Sequence, residues 1–172
     1  GFGASIGGPT WSISTEWAAY LLFPLLAWLA LFRGKLSAAL LGGVAAGLLV
    51  YVAIFPETGQ TTRNGQFDIF HCLDLKAVLR CIGGFSIGLL AYRFRQTPLL
   101  MKFLARDAVC LGLCALLFVG MAAPLPDLAL YPLLPLLVLS LSAVQGRAAT
   151  VFSWTPFYQL GVLSYSIYLL HA

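Results

Sequence analysis

Charged side chains are scarce in this sequence. Of its 172 residues, 9% are Asp, Glu, Lys or Arg, whereas 60% are hydrophobic and the mean hydropathy is +0.92. A water-soluble domain of this composition would lack the polar surface needed to cover itself. The composition therefore excludes a soluble globular domain and predicts an integral membrane protein whose solvent is the lipid bilayer.

Cysteine is sparse too, with four residues in the chain. Cys110 and Cys114 lie four apart in an apolar run and share one helix face, but no histidine or carboxylate accompanies them there. Inert buried thiols are the favoured interpretation and a metal site is the lesser alternative. We therefore expect no metal and no bound cofactor.

Long basic runs are also missing, although the net charge is +4. The basic residues are scattered in short loops beside apolar stretches, where lipid headgroups explain them better than nucleic acid does. The chain has no signal-peptide pattern, low-complexity tract or convincing repeat. We interpret residues 1–172 as part of one transmembrane domain, whose oligomeric state the sequence does not indicate.

Apolar runs long enough to form helices make up most of the sequence. A helix needs about 20 apolar residues to cross a bilayer, and its backbone polar groups must be satisfied within the segment. We predict an all-α polytopic transmembrane helical bundle with about six spans, at residues 17–32, 36–55, 77–94, 108–123, 128–144 and 157–172.

Lysine and arginine concentrate in alternate loops. The loops after the first, third and fifth spans hold most of them, namely Arg33, Lys35, Arg93, Arg95, Lys102, Arg106 and Arg147. By the positive-inside rule these loops face the cytoplasm. The segment before residue 17, the 56–76 loop and His171 then face the outer side.

Glycines and prolines inside the apolar runs predict packing features. Gly43 and Gly47, and likewise Gly84 and Gly88, have the GxxxG spacing that lets helix backbones approach closely. We expect both pairs to mark helix contacts. The prolines at 24, 132 and 135 lie inside apolar runs and are expected to kink their helices.

Three ionisable residues fall inside or at the ends of predicted spans: Glu16, Arg80 and His171. The predicted topology puts them at one membrane depth, and intramembrane ionisable groups are functional candidates by default. We predict that Glu16 pairs with Arg80 and that His171 completes a polar site with them. Each also has a structural interpretation. Glu16 suits a helix N-terminus, Arg80 can snorkel to the interface, and His171 follows aromatic residues typical of a membrane interface.

Three stretches resemble a known family. Residues 11–24, WSISTEWAAYLLFP, look like the W-S-L-S-x-E…Y-L-x-F-P signature of the acyltransferase 3 family of membrane O-acyltransferases. Residues 80–88 resemble that family's R-x4-F-x2-G run, and residues 160–171 resemble its closing L-G-x-x-S-Y-S-x-Y-L-x-H helix. The first and third matches are specific in combination, and the three together span nearly the whole chain.

The resemblance implies an enzyme that transfers an acyl group, usually acetyl from acetyl-CoA, to a hydroxyl of an extracytoplasmic carbohydrate or lipid-linked glycan. It implies a bacterial inner-membrane location. It also implies that this chain is the C-terminal part of such an enzyme, because the family's first helix, with a basic residue and a histidine, has no counterpart here.

Acyl transfer to a sugar hydroxyl needs a base, a group that orients the base, and donors for the developing oxyanion. His171 and Glu16 have the groups for the first two roles, and Arg80 for the third or for holding an anionic substrate. Further residues expected to line the substrate site are Trp11, Ser12, Ser14, Ser164 and Tyr168. Ser164, Tyr168 and His171 share one face of the last helix.

Two alternatives stay open. Intramembrane charges, GxxxG pairs and interrupted helices also suit a transporter or flippase component, although no inverted repeat is visible. A non-catalytic membrane subunit is the third interpretation. The acyltransferase interpretation also leaves one question open, since acetyl-CoA is cytosolic whereas the candidate polar residues are predicted near the outer side.

Overall fold

The computed structural model describes residues 10–55, 67, 75–123 and 125–170, with the side chains at 10–16 and 165–170 outside that description. Every regular element in the described residues is helical, which confirms the all-α class. Nine α-helices and one π-helical turn lie in this part of the chain. They are α1 Thr10–Ala27, the π-turn Trp28–Phe32, α2 Lys35–Ile54, α3 Leu75–Phe94, α4 Pro98–Leu104, α5 Asp107–Ala122, α6 Asp127–Leu130, α7 Leu133–Ala143, α8 Arg147–Phe152 and α9 Thr155–Leu170.

The second and third predicted spans agree with α2 and α3 to within two residues at each end. These two helices are long and apolar enough to cross a membrane. Helices α4 and α5 meet at a bend of 71° and pass the same test only when the pair is taken as one broken span. The described structure thus supports two spans, or three with the bent pair, which is fewer than the six predicted.

The first helix changes its hydrogen bonding before it ends. Pro24 lies inside α1, and the backbone N–H of Arg33 donates to Trp28 O at 3.1 Å, five residues back, which closes the π-turn. A proline removes one helical hydrogen bond, and π-turns are short insertions in otherwise α-helical segments. Helix α1 runs through Pro24 without a break, and the π-turn follows at its end.

Helices α2 and α3 pack closely through small residues. A Cβ added at Gly83 would lie 3.1 Å from Leu49 Cγ, and one added at Gly42 would lie 3.3 Å from Leu90 Cδ1. The two GxxxG pairs behave differently from the prediction. Among the described residues, Cβ atoms added at Gly43, Gly47 and Gly88 would meet nothing within 4 Å, so the described structure does not have the predicted helix contacts at these three positions.

The predicted fifth span is interrupted at Tyr131 and Pro132, between α6 and α7. Pro132 is the residue before α7, and Pro135 lies in the first turn, where a missing backbone N–H costs no helical hydrogen bond. Two short helices, α4 and α8, occupy stretches that the sequence interpretation had largely assigned to loops.

Two contacts hold the second half of the bundle together. The Ser140 hydroxyl, fully buried, donates to Leu104 O at 2.6 Å, which ties α7 to α4. The Asp107 carboxylate accepts the Arg147 N–H at 2.8 Å and so joins the start of α5 to the start of α8. Cys110 is buried beside this junction, and both it and half-buried Cys114 are free thiols.

Candidate functional site

A single backbone unit, Phe67, is held from both sides by charged side chains. The Arg80 guanidinium of α3 donates to Phe67 O at 2.5 Å, and the Phe67 N–H donates to the Asp127 carboxylate of α6 at 3.0 Å. Arg80 is half-buried and Phe67 is buried. A cation on the carbonyl and an anion on the amide satisfy both polar groups of this buried residue, which an apolar environment would otherwise penalise.

Tyr131 closes the same cluster from the break between α6 and α7. Its ring packs on the Phe67 ring with centroids 5.3 Å apart. Its hydroxyl approaches α3 so closely that a Cβ added at Gly84 would lie 2.6 Å from Tyr131 Oη. Among the described contacts, Gly84 is thus the one glycine of the two GxxxG pairs that marks a close approach. It packs on the break in the fifth predicted span and not on another long helix. We call Phe67, Arg80, Asp127 and Tyr131 the Phe67 cluster.

The register of α1 against α3 bears on the predicted pairing of Glu16 with Arg80. Tyr20 of α1 and Phe85 of α3 form an edge-to-face pair with centroids 5.7 Å apart. The two helices run in the same direction, because Arg93 near the end of α3 donates to Ala30 O in the π-turn that follows α1. One turn back from the aromatic pair, α1 reaches Glu16 and α3 reaches the Arg80–Cys81 turn.

The backbone therefore brings the Glu16 turn and the Arg80 turn to the same level of the bundle. An ion pair between the two stays a prediction, because the Glu16 side chain is outside the described side chains. The guanidinium has N–H donors beyond the one that binds Phe67 O. One arginine can therefore hold the 67 peptide and still present a donor toward α1.

The remaining predicted site residues divide between helix positions and the end of the chain. Trp11, Ser12 and Ser14 lie in the first turns of α1 and Tyr168 lies in the last turns of α9, all with side chains outside the description. His171 lies beyond the described residues.

Ser164 is the one predicted lining residue of α9 whose side chain is described. It is exposed, and its hydroxyl donates to Gly161 O at 2.7 Å, three residues back on the same helix. A hydroxyl bonded to its own helix backbone in this way is common for serine inside helices. The described contacts therefore give Ser164 a local role, and its predicted place in a substrate site rests on the family resemblance.

The opposite end of the helices carries the arginines of the first and second basic loops. Arg93 donates to Ala30 O at 2.5 Å and to Arg33 O at 3.1 Å, and the Ser37 hydroxyl donates to Leu29 O at 3.0 Å. Ala30 O and Leu29 O belong to the π-turn that ends the first helix, and Arg33 O follows it; carbonyls at a helix end need partners from outside the helix. The Arg33 guanidinium lies over the Trp28 ring, 4.4 Å from its centroid. The first two basic loops thus meet at one end, as the loop charges predict.

Sequence reasoning missed Phe67, Asp127 and Tyr131. The sequence does single out Asp127, because it is an isolated carboxylate between the P-L-P turn and an apolar run. Intramembrane acids of this kind are costly and are usually paired or functional. Tyr131 precedes a proline, which marks a helix boundary. Nothing local marks Phe67, whose two partners are 13 and 60 residues away.

Chemically, the described cluster offers a cation, an anion and a phenol hydroxyl around one buried peptide. It can orient an anionic or hydroxyl-bearing group near Arg80 and Tyr131. In the part of the chain that the structure describes, no three potential metal ligands come together. Comparison of the chain with models of protein families, with curated proteins and with solved structures finds no match.

Proposed function

We propose that this chain belongs to a membrane-embedded O-acyltransferase that transfers an acyl group, most simply acetyl from acetyl-CoA, to a hydroxyl of an extracytoplasmic carbohydrate. The observation that carries the proposal is the common level of the Glu16 turn and the Arg80 turn, set by the Tyr20–Phe85 contact. Arg80 begins the second of the three family-like stretches, and Glu16 lies inside the first.

In this proposal the chain crosses the bilayer six times. The crossings are α1 with its π-turn, α2, α3, α5 with α4, α6 with α7, and α9. The first helix and the π-turn follow each other without a gap and exceed the about 20 residues that a span needs. The bend between α4 and α5 and the break between α6 and α7 suit a bundle whose helices enclose polar groups, because irregular backbone at membrane depth needs protein or water around it.

The proposed chemistry uses His171 as the base that takes the proton from the sugar hydroxyl. Glu16 orients or charges that base, and Arg80 donates hydrogen bonds to the oxyanion that develops on the acyl carbonyl. The acyl–sulfur bond of the donor breaks as the new ester bond to the sugar oxygen forms, and the thiolate leaves with the proton. Arg80 is the one of the three whose side chain is described, and its half-buried position beside Tyr131 supports its role.

The experiment that tests the proposal follows acetyl incorporation into cell-surface polysaccharide, together with protein abundance in the membrane fraction. We expect incorporation in cells that make the full-length protein, and loss of at least about 100-fold on Glu16→Gln or His171→Ala, the scale typical of removing an acid–base group. Ser142→Ala is the matched control and should retain activity, because the Ser142 hydroxyl donates to Leu139 O of its own helix and lies outside the proposed site. Unchanged incorporation in both site variants would remove Glu16 and His171 from the mechanism.

A transporter or flippase component is the second candidate, favoured by the interrupted helices. The 71° bend between α4 and α5 and the break at Tyr131 resemble the discontinuous spans around which transporters build substrate sites. Purified protein separates the two candidates. Consumption of acetyl-CoA that depends on an added glycan acceptor supports the enzyme, whereas glycan movement across vesicles without acetyl-CoA consumption supports the transporter.

A further inference from the structure

We propose that the groove between α2, α3 and the α6–α7 pair holds one acyl chain of an anionic phospholipid. The lipid belongs to the leaflet at the end of the bundle where Arg93 meets the first basic loop. This site is separate from the proposed acyl-transfer residues and does not rest on the proposed function.

The groove is a cavity of about 440 Å³ that is open along one side. Its walls are aliphatic, with Ala46 and Leu49 from α2, Ile87 and Leu90 from α3, and Leu136 and Leu139 from α7. Tyr131 is the one polar side chain among its lining residues. Apart from the Tyr131 hydroxyl, the lining side chains offer water no hydrogen-bond partners. The volume is within the usual range of small-ligand sites. Its occupant is therefore apolar along most of its length.

The length of the groove matches one leaflet. Its α2 wall runs from Gly42 to Val50, about 12 Å at 1.5 Å per residue, and its α6–α7 wall from Leu128 to Leu139 is somewhat longer. Half of a hydrocarbon core of about 30 Å is roughly 15 Å. A single lipid chain that follows the groove would therefore reach about the middle of the bilayer. A helix, about 10 Å wide, is too broad for a cavity of this volume.

Exposed positive charge at one end of the groove fixes the orientation of the lipid. One end is closed by the Phe67 cluster, where Tyr131 lies on Phe67. The other end is lined by Phe94 and Leu100, and the exposed basic residues Arg95 and Lys102 lie within two positions of these along the chain.

The carboxylates with described side chains are Asp107 and Asp127, and both accept backbone N–H groups elsewhere. These N–H groups belong to Phe67 and Arg147, so the described contacts of both carboxylates are with other parts of the chain than Arg95 and Lys102. Two exposed cations at an apolar groove end complement a phosphate headgroup, and basic residues near a membrane surface attract anionic lipids. This charge is the reason for choosing an anionic phospholipid over a neutral one.

Photo-crosslinking tests the proposal. The purified chain in nanodiscs is irradiated with phosphatidylglycerol that carries a diazirine in one acyl chain, and mass spectrometry maps the modified residues. We expect modification on both walls of the groove, with Ala46 on α2 and Leu136 on α7 as the most informative positions. Ala46→Phe should fill the groove and lower the labelling at least five-fold. Ala39→Phe, the same change at an exposed alanine of α2 outside the groove, should leave it unchanged.

A second arm tests the headgroup. Arg95→Gln and Lys102→Gln should each lower the labelling ratio of phosphatidylglycerol to phosphatidylcholine by roughly five-fold. Arg147→Gln removes an exposed cation away from the groove lining and should not change the ratio. Equal labelling by the two lipids in the unmodified chain would overturn the anionic assignment. Labelling of Ala46 and Leu136 no stronger than that of Ala39, an exposed residue outside the groove, would overturn the site itself, whether or not Ala46→Phe folds.

Discussion

Gly84 and Gly88 lie one turn apart on α3, and a methyl group added to each should have different consequences. The Cβ of Gly84→Ala would lie 2.6 Å from Tyr131 Oη, well inside contact distance, whereas that of Gly88→Ala would meet nothing within 4 Å. The gain in helix propensity, up to about 1 kcal/mol, is common to both substitutions and cancels in their comparison. The difference therefore isolates the contact with Tyr131.

Overpacking of one methyl group costs about 1–3 kcal/mol when the neighbour cannot move freely. The Tyr131 ring packs on the Phe67 ring with centroids 5.3 Å apart, and the Tyr131 backbone is restricted by the following Pro132. Moving the hydroxyl away from α3 would therefore disturb the contact between the two rings. We expect Gly84→Ala to have a free energy of unfolding about 1–3 kcal/mol below that of Gly88→Ala. The assay is reversible unfolding in mixed detergent micelles, followed by the loss of helical circular dichroism.

A Tyr131→Phe background supplies the internal control. Without the hydroxyl, the nearest atom to the added Cβ at Gly84 is Tyr131 Cζ at 3.9 Å, an ordinary van der Waals contact. The difference between the two alanine variants should then fall to within about 0.5 kcal/mol, which is the usual scatter of additive substitutions. Equal stabilities of the two variants in the Tyr131 background would show that the break between α6 and α7 does not pack on α3 as described.

Three further predictions concern the ends of the helices. Asp127→Ala should lower the free energy of unfolding by about 1–3 kcal/mol, because it leaves the buried Phe67 N–H without its acceptor. An unchanged free energy of unfolding would show that the carboxylate does not stabilise the cluster. Arg93→Gln should cost about 1.5–3 kcal/mol through its charge-assisted bonds to the end of the first helix, and the same unfolding titration measures it. In a cysteine-free background, Leu125→Cys should react with a membrane-impermeant thiol reagent in intact cells and Gln96→Cys should not, because the loop charges put these exposed positions on opposite sides. The reverse labelling pattern would invert the proposed topology.

The long apolar helices are the part of the fold that the sequence predicts best. Runs of 20 residues in α2 and α3 have one stable form in lipid, and their ends are marked by Arg33-Gly34-Lys35 and Arg93. The short helices α4 and α8 were not predicted, because apolar runs of span length do not indicate helices of 7 and 6 residues. Pro98, expected in a loop, instead begins α4, where its missing N–H costs nothing.

The glycine prediction failed for a geometrical reason. GxxxG spacing shows that one helix face is small, but it does not show whether a neighbour lies on that face. In α2 the close contact passes through Gly42, one residue before Gly43, and so lies on another face of the helix. On α3 the close contacts between described residues involve Gly83 and Gly84 and not Gly88.

The candidate site was predictable only in part. Arg80 stands out from sequence because a cation inside an apolar run demands a partner. Its observed partner is a backbone carbonyl in a loop, which no side-chain pattern indicates. Asp127 and Tyr131 belong to the cluster because both contact Phe67, which lies far from them in the chain. A single sequence has no local pattern that indicates such contacts.

The measurement that tests the account most directly is acetyl transfer from isotope-labelled acetyl-CoA to surface polysaccharide, compared between Arg80→Ala and Asp127→Ala at equal membrane abundance. Both substitutions release one side of Phe67, but only the first removes the cation proposed to stabilise the acyl oxyanion. The account predicts transfer by the unmodified full-length protein, loss of at least about 100-fold in Arg80→Ala, on the scale of removing one oxyanion donor, and substantial activity in Asp127→Ala. Near-normal transfer in Arg80→Ala, or equal losses in both variants, would show that Arg80 only holds the loop and would contradict its role in acyl transfer.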